Sequence, residues 1–144
     1  MKNEDIEVEV LAASTQPHLS LEDRMLTFRL RYPRFIHAEV MTHKVPRRNG
    51  ASSRANSLSK MLGSIWTNMA SPIGWGADQK GMFASEELTG LRLLWVKFFW
   101  YATGYMVLIM SWLMGLAGPH KQYVNRMAEP WAFINVQLTL NYGE

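Results

Sequence analysis

The chain has 144 residues, of which 48% are apolar and 19% charged, enough for one hydrophobic core and too apolar for a wholly disordered chain. It has no cysteine, which excludes disulfides, thiolate metal sites and every cysteine-nucleophile mechanism. The net charge of +3 is unevenly spread: Arg29 to Lys60 holds eight basic residues and one acid, Glu39, for +7, while the remainder holds seven basic and eleven acidic, for −4.

A phosphate-bearing partner is therefore expected to meet the segment from Arg29 to Lys60. The N-terminus, MKNEDIEVEV, is acidic and has none of the apolar run of a signal peptide. Ile6 to Ala12 alternates Ile6, Val8 and Val10 with Glu7 and Glu9, which predicts a half-buried strand. Thr15 to Ser20, containing Pro17, reads as a loop. Leu26, Phe28 and Leu30 alternate with Thr27, Arg29 and Arg31, a second strand that Pro33 closes. From Phe35 to about Lys44 the spacing predicts a helix, with Phe35, Ile36, Glu39, Val40 and His43 on one side. Pro46 breaks that pattern, and RRNGASSRANS reads as a basic, turn-rich loop. Leu58 to Met69 fits a short helix, and Ser71 to Gly81 a loop with three glycines and a proline.

The second half is different in character. Leu88 to Leu116 is long, apolar and aromatic, and no residue from Phe98 through His120 carries a formal charge. A membrane span needs about 20 such residues. Thr103, Gly104, Ser111 and Gly115 interrupt the run, which favours a buried or subunit-interface helix over a span. Pro119 to Met127 starts a further, polar helix, and Trp131 to Leu140 fits helix or strand. The whole of 1–144 reads as a single domain. Trp75 and Trp95 read as core or interface aromatics. His37 and His43, six apart on a helix, point about 240° apart and cannot share a metal from one face; no metal site is expected.

The most informative stretch is Thr42-His43-Lys44 followed by Asn49-Gly50-Ala51-Ser52-Ser53-Arg54. A helix end delivers His and Lys, and a tight basic loop adds backbone N–H groups near Gly50, two hydroxyls and a guanidinium that binds oxygens bidentately. A solvated basic turn has the same composition, and the GxxxxGK[ST] phosphate loop is absent.

Order and spacing add more. Thr42 to Arg54 resembles the signature of flavin-dependent thymidylate synthases: Arg-His-Arg, four residues, Asn-Glu, one residue, Ser, one residue, Arg. His43, Asn49, Ser52 and Arg54 fall at matching positions, whereas Thr42, Lys44 and Gly50 replace the family's Arg, Arg and Glu. The lead-in TFRLRYPRFIHAEVMTHK is similar to the family's strand–Pro–helix, and RFIHAE with SSRA resembles its phage-type branch. Asp78 to Met82, His120-Lys121-Gln122, Asn125-Arg126 and Glu129-Pro130 continue the resemblance in order along nearly the whole chain.

That resemblance implies an α+β fold, a sheet with packed long helices, assembled as a homotetramer with its sites between subunits. It implies reductive methylation of dUMP to dTMP, with FAD as cofactor and NADPH and methylenetetrahydrofolate as co-substrates, in the cytoplasm. The absence of cysteine is consistent with this, since the family uses no covalent protein nucleophile. It places Thr42, His43, Lys44 and Asn49 at the cofactor. Glu39, Gly50, Ala51, Ser52, Ser53, Arg54 and Arg126 fall at the nucleotide, Arg126 reaching it from a neighbouring subunit. Ser52 and Arg54 are the catalytic candidates. The family's second flavin-binding element is expected beyond Glu144. No nucleic-acid partner is expected, the rival readings being a nucleic-acid-binding module using the basic segment, a membrane-associated protein and a non-catalytic fragment.

Overall fold

A computed structural model of the chain describes residues 6–14, 18, 20, 24–42, 46–81 and 84–141. Four antiparallel strands form one sheet in the order β1-β2-β4-β3: β1 is Glu7–Ala13, β2 Met25–Pro33, β3 Arg47–Gly50 and β4 Phe133–Asn141. The helices are α1 (His37–Val40), α2 (Leu58–Thr67), α3 (Gly90–Leu116) and α4 (Lys121–Ala128). This is the expected α+β class.

Strand periodicity sorts the sheet into two faces. Leu30, Tyr32, Ile134 and Val136 share one face, and Ile36 and Val40 pack onto it from the turn after β2. On the opposite face Glu7 pairs with Arg31 and Glu9 with Arg29, while Arg31 also lies 4.0 Å above the ring of Phe133. The expected half-buried strand is corrected here: β1 is exposed along its length, no described residue covers Val8 and Val10, and a register shift follows Val10. A second core lies between the helices, where Met61, Ile65, Met69, Leu108, Ala128 and Ala132 meet. Burying a side chain such as Ile65 contributes about 1.5–3 kcal/mol.

Three sequence expectations change. The helix predicted over Phe35 to Lys44 is a 3₁₀ turn, Arg34–Ile36, and one α turn ending at Val40; Met41 and Thr42 are a turn, and Glu39 is exposed rather than on the packed side. His43 and Lys44 lie outside the described residues. The basic loop begins as a strand: Arg47–Gly50 pairs with Val136–Thr139 of β4. Trp131 to Leu140 resolves into the end of a 3₁₀ turn, Glu129–Trp131, and the central strand β4.

α3 is as long as expected and far less buried. Only one stripe is enclosed, Gly104, Leu108 and Ser111, at spacings of four and three residues. Trp100 Nε1 donates to Ala70 O at 3.0 Å, Trp131 Nε1 to Trp100 O at 3.3 Å, and Tyr101 Oη to Ser71 Oγ at 3.2 Å, so α3 is fastened to the domain. The rest of its surface is apolar and open: Leu91 is 75%, Trp95 60% and Leu116 68% exposed. α3 is long and apolar enough to cross a membrane, by length and composition. Through Leu108 its enclosed stripe packs with Met61 and Ile65 of α2 and with Ala128 and Ala132.

Candidate functional site

The candidate loop leaves the sheet at the end of β3 and is held by its backbone. Ala51 N donates to Asn135 O of β4 at 3.0 Å, continuing the strand pairing by one bond. Ala51 O accepts from Arg34 Nη1 at 3.3 Å. Ser52 then caps a 3₁₀ turn, Ser53–Ala55, its Oγ accepting from Arg54 N at 3.3 Å. Asn125 of α4 reaches this turn: its Nδ2 donates to Ser53 O at 2.9 Å and to Asn56 O at 3.1 Å.

Arg34 ties this loop to the far end of the chain. Its backbone N donates to Ala132 O at 2.8 Å, and its Nη2 lies 3.2 Å from Glu129 Oε1. One guanidinium thus serves a loop carbonyl through one nitrogen and a carboxylate through the other, a fixed planar spacing that the single nitrogen of lysine does not reproduce. Pro33, with φ −56°, sets the direction in which the chain leaves β2 and so where Arg34 begins.

Beneath the loop sits a neutral pair. Tyr32 is buried on β2, and its Oη lies 2.8 Å from His37 Nδ1. The other edge of the His37 ring faces Gly50, where an added Cβ would meet Cε1 at 3.5 Å and Nε2 at 3.6 Å. Burial, aided by the Arg34 and Arg48 guanidiniums, holds the His37 pKa below the usual histidine value; Glu129 opposes this. Burial raises the Tyr32 pKa against the pull of the same two arginines. Arg48 Nη1 also donates to Val40 O at 2.8 Å, closing the end of α1 onto β3.

The sequence-derived residues divide accordingly. Gly50, Ala51, Ser52, Ser53 and Arg54 form one continuous rim, with Ser52 and Arg54 exposed and Ser53 turned into the protein. Arg126 is exposed on α4, one residue from the Asn125 that grips this rim. Glu39, within α1, and Thr42, just after it, are both exposed, and Thr42 Oγ1 donates to Glu39 O at 2.6 Å. Asn49 pairs with Gln137 on the sheet face away from Tyr32. Sequence reasoning assigned none of Tyr32, Arg34 and His37 to the nucleotide site; His37 was weighed only as a metal ligand, and Tyr32 only for a nucleic-acid surface. Arg34 and His37 lie within RFIHAE, but their roles depend on β4 and Glu129, about a hundred residues away. Asn125 had a signal only as half of the Asn125-Arg126 pair.

No protein-family model matches this chain, and no curated protein matches its sequence. Among solved structures, the architecture is one that a pyrimidine-nucleotide methylase uses. The UMP/dUMP methylase PolB from Streptomyces cacaoi, bound with 5-Br UMP, superposes with a TM-score of 0.67 over 96% of this chain and 72% of its own, at 15% identity. The same enzyme bound with 5-Br dUMP gives a TM-score of 0.67 over 95% and 74%, at 12% identity. At this identity the likeness establishes the fold.

Proposed function

We propose that this chain binds dUMP at the Gly50–Arg54 rim and methylates it to dTMP as a flavin-dependent thymidylate synthase. The observation that carries the reading is the rim itself: its backbone is held by Arg34, Asn125 and Asn135, while Ser52 and Arg54 stay open. A loop held in this way presents hydroxyl, guanidinium and backbone N–H groups to an anionic ligand without having to be ordered on binding. The order of motifs in the sequence and a fold shared with a UMP/dUMP methylase support the same substrate class.

In this reading Arg54 anchors the nucleotide and Ser52 offers its hydroxyl to the base. Arg126 neutralises the phosphate of a nucleotide held by another copy, the family arrangement being a homotetramer. The exposed apolar surface of α3 supports such an assembly, since contiguous patches beyond a few hundred Å² mark interfaces. FAD, methylenetetrahydrofolate and NADPH complete the proposal. Of the residues the resemblance places at the cofactor, Thr42 follows α1 with its hydroxyl donating to Glu39 O, whereas Asn49 lies on β3 on the sheet face away from Tyr32, so the described residues do not form one cofactor cluster. Flavin, once bound and reduced, would supply the hydride, and the protein would orient the ligands and balance phosphate charge.

The nucleic-acid alternative is weakened by the arginines' own partners. Arg29 and Arg31 pair with Glu9 and Glu7 and Arg34 with Glu129, so three of the seven net charges are answered within the domain, and Arg48 is held by a backbone carbonyl. The proposal is tested by the visible spectrum of the protein after incubation with FAD and gel filtration. Co-eluting flavin bands that shift when dUMP is added are expected. Protein that stays colourless at saturating FAD overturns the flavin part.

A further inference from the structure

Asn125 is fully buried, at 0% exposure, in a helix whose other buried residues are Val124 and Ala128. Its amide nitrogen makes two bonds to the carbonyls that bracket Arg54 and Ala55, those of Ser53 and Asn56. Its Oδ1 is buried, and no described group hydrogen-bonds to it. An unpaired buried acceptor is costly, and a side chain serving only to fill this space would do better apolar.

What the amide holds is a single 3₁₀ turn, with internal bonds of 3.0 Å from Ala55 N to Ser52 O and 3.4 Å from Asn56 N to Ser53 O. An isolated turn of this kind does not persist without outside support, because helix nucleation is unfavourable. We propose that Asn125 is the positioning residue of the ligand rim, locking the Ser53–Ala55 turn so that Ser52 and Arg54 face outward ready for a nucleotide. This rests on the nucleotide-binding reading above. The same helix therefore grips its own chain's rim through Asn125 and presents Arg126 to solvent one residue later, about 100° round the axis.

The test uses Asn125→Leu, which removes both donors and the unpaired acceptor at similar volume, with Asn125→Asp as a second variant that sets a carboxylate against the two carbonyls. Three readouts are made on the full chain: thermal midpoint, hydrogen exchange at the Arg54–Asn56 amides, and dUMP affinity by calorimetry with and without Arg54→Ala. Asn125→Leu is expected to stay folded, to exchange those amides at least tenfold faster and to bind dUMP at least tenfold more weakly. The penalty of Arg54→Ala should shrink in its background, because a guanidinium on a loosened turn has less to lose. Unchanged exchange in a folded variant overturns the clamp. Faster exchange with unchanged dUMP affinity, or an undiminished Arg54→Ala penalty, overturns the positioning role. If the wild type binds no dUMP, the nucleotide reading fails while exchange still decides the clamp. Should Asn125→Leu not fold, the same outcomes are read from Asn125→Asp.

Discussion

Tyr32 Oη and His37 Nδ1 share a hydrogen bond of 2.8 Å, which joins the buried end of β2 to the first residue of α1. His37 is kept neutral by burial and by Arg34 and Arg48. Its folded pKa is below the unfolded value near 6.5, so the unfolded chain takes up more protons once the pH falls past that point. Its contribution to stability is complete above about pH 6.5 and is lost as the pH falls through the folded pKa. Thermal midpoints from pH 7.5 down to 5 should decline in the wild type and decline less in His37→Gln. Parallel curves would show that His37 is not the titrating group.

The Arg34 fork predicts a stability effect that charge alone does not reproduce. Arg34→Ala removes the partner of Glu129 and the donor to Ala51 O, and should cost about 1–3 kcal/mol in denaturant unfolding with an unchanged slope. Arg34→Lys should recover only part of this, since one nitrogen replaces two held in a plane at the spacing of the two acceptors. Full recovery would mean that position of charge, not geometry, matters here.

At Gly104 α3 lies close against Met69 and Trp131. An added Cβ would overlap Met69 Sδ and come within 2.8 Å of Trp131 Cδ1. Alanine gains about 1 kcal/mol in helix propensity. Overpacking costs about 1–3 kcal/mol, and the indole is fixed by its bond to Trp100 O. Gly104→Ala should therefore lower the thermal midpoint, whereas Gly63→Ala in α2, where an added Cβ meets nothing within 4 Å, should raise it. A stabilising Gly104→Ala would show that α3 sits further from Trp131 than described.

The open face of α3 predicts self-assembly. Light scattering should give a mass of four chains, and Leu94→Glu with Phe98→Glu should reduce it, because two carboxylates on this face would have to be desolvated. A stable wild-type monomer would contradict the tetramer.

Much of the architecture was legible, and its gaps have physical reasons. β2 could be read because Leu26, Phe28 and Leu30 alternate with polar residues and Pro33 ends the run. β3 could not: Arg47–Gly50 has no apolar residue, and its strand geometry comes from pairing with β4. Phe133–Asn141 was ambiguous because a short apolar run fits either period until its neighbours are known. The segment Gly50–Arg54 was singled out by its motif, since spacing along a loop survives in sequence; its role as a site is the proposal. Its supports were not singled out, because Arg34, Glu129 and Asn125 act between residues far apart in the chain, as in Arg34 to Ala51, Asn125 to Ser53 and Arg34 to Glu129.

The central claim is that the Gly50–Arg54 rim and Arg126 hold dUMP, and calorimetric titration with dUMP tests it most directly. The wild type should bind saturably, and Arg54→Ala and Arg126→Ala should each weaken binding more than tenfold while leaving the thermal midpoint nearly unchanged, since both side chains are exposed. No saturable binding by the wild type, or equal affinity in wild type and both variants, would contradict it.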